Sequence, residues 1–270
     1  MQKKKIFRWI KITVLLYCSI GIALYYLQEY FLFHPTTLAP DYTFSFSAPF
    51  EEINMPINAT TNISVVKFFS TDTITKGVVL YFHGNKQNIN RYAKFVNSFT
   101  KNGYEVWMPD YPSFGKSTGK ITENNLYKVG EQVYKMANAK FKSDSIIIYG
   151  KSLGTGIAAY VASFYPAKKL ILETPYYSIP SLFSSWIPIY PHQRSSIYKL
   201  PTNDYLQKVT IPITIFHGTN DWIIPYRNAA KLKPILKKED EFITIEGGNH
   251  QNLFVYDLYQ KKLDSLLKLW

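Results

Sequence analysis

Eight short runs of this chain are rich in β-branched and aromatic residues, and most of them are apolar almost without a break. An opening pair, "FEEINMPI" and "ISVVKFF", is followed by "GVVLYF" (77–82), "YEVWMPD" (104–110), "SIIIYG" (145–150), "KLILE" (169–173), "ITIFHG" (213–218) and "FITIEGG" (242–248). A strand with no polar side needs cover on both faces, which is the condition of a parallel sheet inside an α/β protein. Segments with helical spacing separate the runs, at 89–101, 123–141, 152–165, 227–236 and 251–268. The alternation predicts a doubly wound α/β domain: a mostly parallel eight-stranded sheet, helices on both faces, and an antiparallel pair at its start. A chain of 270 residues is long enough to bury one such core.

One stretch breaks the alternation. Residues 174–210 carry five prolines and many aromatics, and compact domains rarely keep so long an irregular segment without a use for it. It is expected to form a lid over the carboxyl edge of the sheet, where folds of this class place their sites. The alternative is an irregular surface excursion packed by its own aromatics.

The amino terminus is of another kind. Of the net charge of +12, five positive charges fall in the first eleven residues, Lys3, Lys4, Lys5, Arg8 and Lys11, with no acidic residue among them, ahead of an uncharged run from Ile12 to Leu27. Sixteen residues of helix rise about 24 Å, and flanking aromatics extend that toward a bilayer's hydrocarbon thickness. Bulky Tyr25 and Tyr26 after the run are a poor fit to a signal-peptidase site. A lipoprotein signal ending at Cys18 would leave only Ile12 to Tyr17 as its apolar part, and a buried core helix would leave the basic block unexplained. The expected organisation is therefore a basic cytoplasmic tail (1–11), a transmembrane anchor (12–33), a linker (34–49) and a catalytic domain (50–270) containing the lid (174–210). Positive charge on the N-terminal flank predicts a single-pass protein with its N-terminus in the cytoplasm and the domain on the opposite side of the cell membrane. The remaining basic residues form no block interleaved with aromatics, which argues against nucleic-acid binding. With Cys18 as the only cysteine and no short spacing among the five histidines, neither a disulfide nor a metal site is indicated.

"IIIYGKSLGTGIAAYVA" (146–162) sets a strand, a Gly-Lys-Ser-Leu-Gly turn and an apolar helix in succession. That is the context in which Gly-x-Ser-x-Gly forms a nucleophile elbow; taken alone, the same stretch also fits Ser152 as a helix cap. A serine hydroxyl needs a base, and the base an orienting acid. Downstream, "FHGTND" puts Asp221 in the loop after one buried strand, and "EGGNH" puts His250 after the last. The order Ser, Asp, His at strand carboxyl ends singles out Ser152, Asp221 and His250 as a candidate triad. Backbone N–H groups of Leu153 and of Asn85, in "YFHGNKQN", are the candidate oxyanion donors, with Lys86 second to Asn85 and His83 as a brace for the loop.

These motifs, with "PDYPSFGKSTG" and "LILETPY", run in an order that resembles the serine hydrolases of the α/β-hydrolase family over residues 50–270. The likeness is strongest to its membrane-tethered esterase and thioesterase branch, which implies the α/β-hydrolase fold, hydrolysis of ester or thioester bonds through an acyl-enzyme, small-molecule or lipid-like acyl substrates, and no cofactor. A serine peptidase and a non-catalytic binding member share that fold. Pro112 and Ser113 depart from the usual "DY" loop, leaving that loop's shape open, and Glu173 is a secondary candidate for the acid. Lid aromatics Tyr176, Tyr177, Phe183, Trp186 and Tyr190 are candidates to line an acyl pocket.

Overall fold

In the computed structural model of the protein, which describes residues 2–268, the expected sheet is present. Residue 1 and residues 269–270, the outer ends of the expected tail and domain, lie outside the described residues. The strands are β1 (Phe50–Asn58), β2 (Thr61–Phe68), β3 (Gly77–Phe82), β4 (Tyr104–Pro109), β5 (Ile146–Lys151), β6 (Lys169–Glu173), β7 (Ile213–Gly218) and β8 (Glu241–Ile245). They lie in the order β1-β2-β4-β3-β5-β6-β7-β8. β1–β2 and β2–β4 pair antiparallel, and β3 through β8 pair parallel with their neighbours.

The central strands are buried at every position, as their unbroken apolar sequence requires. Helices α2 (Glu123–Asn138) and α3 (Gly154–Phe164) cover one face. The other is covered by the last helix, α5 (Asp257–Lys268), and by the helical turns at 89–92, 93–95 and 97–100. The expected single helix at 89–101 is thus three short turns, tightened by i→i+3 bonds such as Val96 N–H to the Ala93 carbonyl. The helix expected from 251 starts only at Asp257, because Asn249 and Asn252 cap each other's backbone in a turn that carries His250.

Residues 174–210 fold over the carboxyl edge as a set of helices, α4 (Ile179–Trp186) and the short helices His192–Ser195 and Thr202–Leu206. Ser178 caps α4, its hydroxyl accepting from the Ser181 N–H.

A single helix, α1, runs unbroken from Gln2 to Leu32, about 46 Å at the α-helical rise, so the basic tail and the apolar run belong to one element. Its best window has mean hydropathy 1.8, long and apolar enough to cross a membrane, and its apolar side chains are exposed along most of its length. Only its C-terminal half touches the domain. The Tyr17 and Tyr190 rings stack at 4.7 Å, Gln28 Oε1 accepts from the Ile197 N–H (2.7 Å), and Tyr198 donates to Glu29 Oε1 (2.9 Å). The chain leaving α1 then pairs, at His34–Pro35, with Lys86–Gln87 in the loop after β3.

Candidate active site

The sharpness of the turn after β5 is what lifts Ser152 above the sheet. A methyl group added to Gly154 would collide with the carbonyl oxygen of Phe82 on β3, and one on Gly150 would lie 2.7 Å from the Ala158 methyl of α3. Only glycine at both positions lets strand and helix approach this closely. Ser152 itself has φ of 51°, in the left-handed region. Such a conformation costs about 1–3 kcal/mol and persists only where neighbours fix it. Here the Ser152 N–H donates to the Glu173 carbonyl (2.9 Å), and its own carbonyl accepts from the Thr155 N–H (2.9 Å) and hydroxyl (2.6 Å).

The three residues singled out in the sequence meet at this turn. Ser152 Oγ lies 2.9 Å from His250 Nε2, and His250 Nδ1 lies 2.8 Å from Asp221 Oδ2. The other Asp221 oxygen accepts from the N–H groups of Ile223 (3.0 Å) and Ile224 (2.8 Å), which fixes the carboxylate plane. The acid and histidine loops are fastened together: Asn220 N–H donates to the Gly248 carbonyl and Gly247 N–H to Thr219 Oγ1, both at 2.9 Å. Asp221 is buried, and Ser152 and His250 are only 8% exposed, at the floor of a cavity.

Two groups around this constellation were not singled out in the sequence. His217, at the end of β7, is fully buried with Nε2 3.6 Å from Asp221 Oδ2 and 2.9 Å from the Ile224 carbonyl. Burial lowers its pKa below the usual histidine range, so it is a neutral donor to that carbonyl and leaves Asp221 to His250. Its position in "FHGTND", four residues before Asp221, was the available signal.

The second is Lys151. The structure buries it at the edge of the cavity and pairs it with Glu173. Glu173 also accepts from Tyr149 and, at 3.0 Å, from Tyr259. This carboxylate is committed to a buried network beneath the serine, while Asp221 faces His250.

The cavity above Ser152 has a volume of about 610 Å³. Leu153 and Asn85 line it, as do Tyr176 and Trp186 of the lid, whereas Phe183 and Tyr190 line a neighbouring cavity and Tyr177 neither. Asn85 is held from the side of α1: its carbonyl accepts from the His34 N–H, and its side-chain amide donates to the Leu32 carbonyl, both at 2.9 Å. His83 lies behind, stacked on Tyr92, with Nδ1 2.7 Å from the Gly84 carbonyl and Nε2 3.2 Å from Asp110. Burial raises the Asp110 carboxyl above its usual range in spite of that neighbour. The "DY" loop takes a tight turn from Tyr111 to Phe114, with Pro112 second and Ser113 third at φ of 67°. A proline followed by a positive-φ residue is the requirement of a type II turn, so the unusual pair is accommodated locally.

A family model described as the alpha/beta hydrolase fold matches residues 77–198. Alpha/beta hydrolase domain-containing protein 17C of Xenopus tropicalis is 28% identical over 194 residues, covering 70% of this chain and 61% of that protein. Protein 17B of Homo sapiens is 27% identical over 197 residues, covering 71% and 66%. The matched part of the chain thus spans less than two thirds of these relatives. An esterase from Pyrococcus furiosus superposes with a TM-score of 0.69 at 15% identity, over 88% of this chain and 98% of that one. A soluble variant of monoglyceride lipase from Saccharomyces cerevisiae superposes with a TM-score of 0.63 at 15% identity, over 85% and 98%. At these identities the structural likeness is one of fold.

Proposed function

Starting from the chain's membership of the α/β-hydrolase family, we propose that it is a membrane-anchored serine hydrolase that cleaves carboxylic ester or thioester bonds. The observation that carries this is the continuous chain of contacts from Ser152 Oγ through His250 to Asp221, at 2.9 and 2.8 Å, on a strained elbow that opens into a cavity. His250 Nε2 takes the proton as Ser152 Oγ bonds to the substrate carbonyl carbon. Asp221 holds the ring in the required tautomer and stabilises the imidazolium. Backbone N–H groups of Leu153, at the start of α3, and of Asn85 receive the oxyanion, each such donor contributing about 3–4 kcal/mol to transition-state binding. His250 then protonates the departing alcohol or thiol, and water, deprotonated by the same imidazole, releases the acid and restores the serine. Every step uses this chain's own groups.

The long apolar α1 with its basic start supports a single-pass anchor in the cell membrane, N-terminus in the cytoplasm and catalytic domain on the extracytoplasmic side. Protease added to intact spheroplasts is expected to degrade the domain, and full protection would reverse the orientation.

Labelling with a fluorophosphonate probe tests the chemistry. The wild type is expected to label and Ser152→Ala not to; labelling of both, or of neither, removes the proposal. Turnover of p-nitrophenyl esters by the labelled protein places it among esterases, whereas turnover of amides alone would make it a peptidase.

A further inference from the structure

Beside the catalytic cavity lies a second one of about 640 Å³, between the C-terminal half of α1 and the lid. One wall is a single face of α1, with Cys18, Gly21, Ile22 and Tyr25 at helical i, i+3, i+4 and i+7 spacing. The other wall is the lid, chiefly Phe183, Ile187 and Tyr190. The two cavities meet at Phe31 and Trp186, which line both. Ser196 Oγ lines the groove without a hydrogen-bond partner among the described residues, while the polar groups of Tyr17, Tyr190 and His192 are engaged. The Tyr17 hydroxyl donates to the Ile189 carbonyl and the Tyr190 hydroxyl to the Tyr17 carbonyl, both at 3.0 Å, and His192 Nε2 lies 2.8 Å from the Ile187 carbonyl.

Building on the serine-hydrolase reading above, we propose that this groove takes the fatty acyl chain of a bilayer-resident ester or thioester, which enters sideways between α1 and the lid and brings its carbonyl to Ser152. The groove's own wall is the uncharged stretch of α1, so with α1 as the membrane anchor proposed above its mouth faces hydrocarbon. A peptide there would bring backbone N–H and C=O groups for which the apolar walls have few partners. An acyl chain brings none, and passes from lipid to the serine without crossing water. The lengths agree as well. From Cys18 to Phe31 the helix advances roughly 20 Å. An extended chain advances about 1.2 Å per bond, so the groove seats roughly sixteen bonds.

Cys18 is the only cysteine of the chain, is exposed, and lines the groove, which makes the test direct. The full-length protein in detergent micelles is treated with benzyl methanethiosulfonate, whose benzylthio sulfur is attacked by the Cys18 thiolate to form the mixed disulfide while methanesulfinate leaves and the thiol proton passes to solvent; mass spectrometry confirms the adduct. Hydrolysis of p-nitrophenyl palmitate is expected to fall at least about tenfold, the loss from displacing two or more methylenes from apolar contact. Hydrolysis of the butyrate, whose chain stays in the catalytic cavity, should change less than twofold. Dithiothreitol should restore the palmitate rate, and Cys18→Ser should be indifferent to the reagent. Equal loss on both esters, or no loss on either with Cys18 fully modified, would overturn the groove assignment. A change of oligomeric state on modification with both rates intact would instead put a second copy of the chain in the groove. Absence of turnover on both esters before modification, together with absent fluorophosphonate labelling, marks failure of the hydrolase reading itself.

Discussion

The carboxyl edge of the sheet and the junction between α1 and the lid are built on opposite principles. At the sheet edge, Ser152 and Asp221 sit on turns that leave buried strands and His250 on one that leaves the half-buried edge strand β8, and each turn is held by hydrogen bonds to its backbone. At the junction, the contacts run from side chains to rings and backbone groups some 170 residues away in sequence, as where Tyr17 and Tyr190 stack and the Tyr190 hydroxyl donates to the Tyr17 carbonyl, and among the described residues no strand pairing ties the lid to the helix. The first region is held by hydrogen bonds among near neighbours in sequence; the second rests on rings and side chains brought together from distant parts of the chain. The acyl-chain groove proposed above requires both a fixed nucleophile and a boundary that opens, so the two regions can be tested against each other.

Asp221→Asn separates the two most sharply. With asparagine, the amide favours the wrong imidazole tautomer, and kcat on a short-chain ester is expected to fall about 10⁴-fold while the fold remains. Circular dichroism and the unfolding midpoint should be near those of the wild type. A loss of less than about a hundredfold would mean that Asp221 does not set the tautomer and orientation of His250.

The same contrast decides what could be read from the sequence. Strands announced themselves through unbroken apolar runs, and the elbow through glycines at 150 and 154 whose necessity is local: a strand, a helix and no room for a side chain. Asp221 and His250 were legible because strand ends converge in a parallel sheet, so chain order stands in for distance. His217 and the Lys151–Glu173 pair were not, since their meaning depends on which side of a strand faces which neighbour across the sheet. The lid was legible only as an exception to the alternation. Its partner, α1, gave no sign of contact, because an apolar helix reads the same whether its neighbours are lipids or protein side chains. The turn before α5 was missed for a simpler reason: Asn249 and Asn252 satisfy backbone groups that a helix would otherwise use.

The Lys151–Glu173 pair sharpens the first half of the comparison. Lys151→Met leaves the Glu173 carboxylate buried with only the hydroxyls of Tyr149 and Tyr259, and removal of one partner of a buried pair costs about 3–5 kcal/mol. Because the Glu173 backbone carbonyl also receives the Ser152 N–H, the loss falls on the elbow itself. Unfolding followed by tryptophan fluorescence should show the destabilisation, and the double change Lys151→Met with Glu173→Leu should recover a good part of it. If Lys151→Met alone is neutral, the elbow is held by the glycine contacts and backbone bonds, and the network beneath it is dispensable.

The second half is tested by Tyr190→Ala. Tyr190 stacks on Tyr17 with the rings 8° from parallel and donates to its backbone carbonyl, so its removal takes away both a ring stack and a hydrogen bond between lid and helix. An aromatic pair with one hydrogen bond corresponds to roughly a tenfold shift in a local opening equilibrium. Amides of α4 and of the short helix His192–Ser195 should then exchange with solvent deuterium about tenfold faster, while those of β5 and β6 stay as slow as before. The short-chain ester rate should stay within about twofold, because no group near Ser152 depends on Tyr190. Exchange that quickens equally in the lid and in the central strands would mean that the two regions open as one unit, and the contrast between a fixed edge and a movable boundary would not hold.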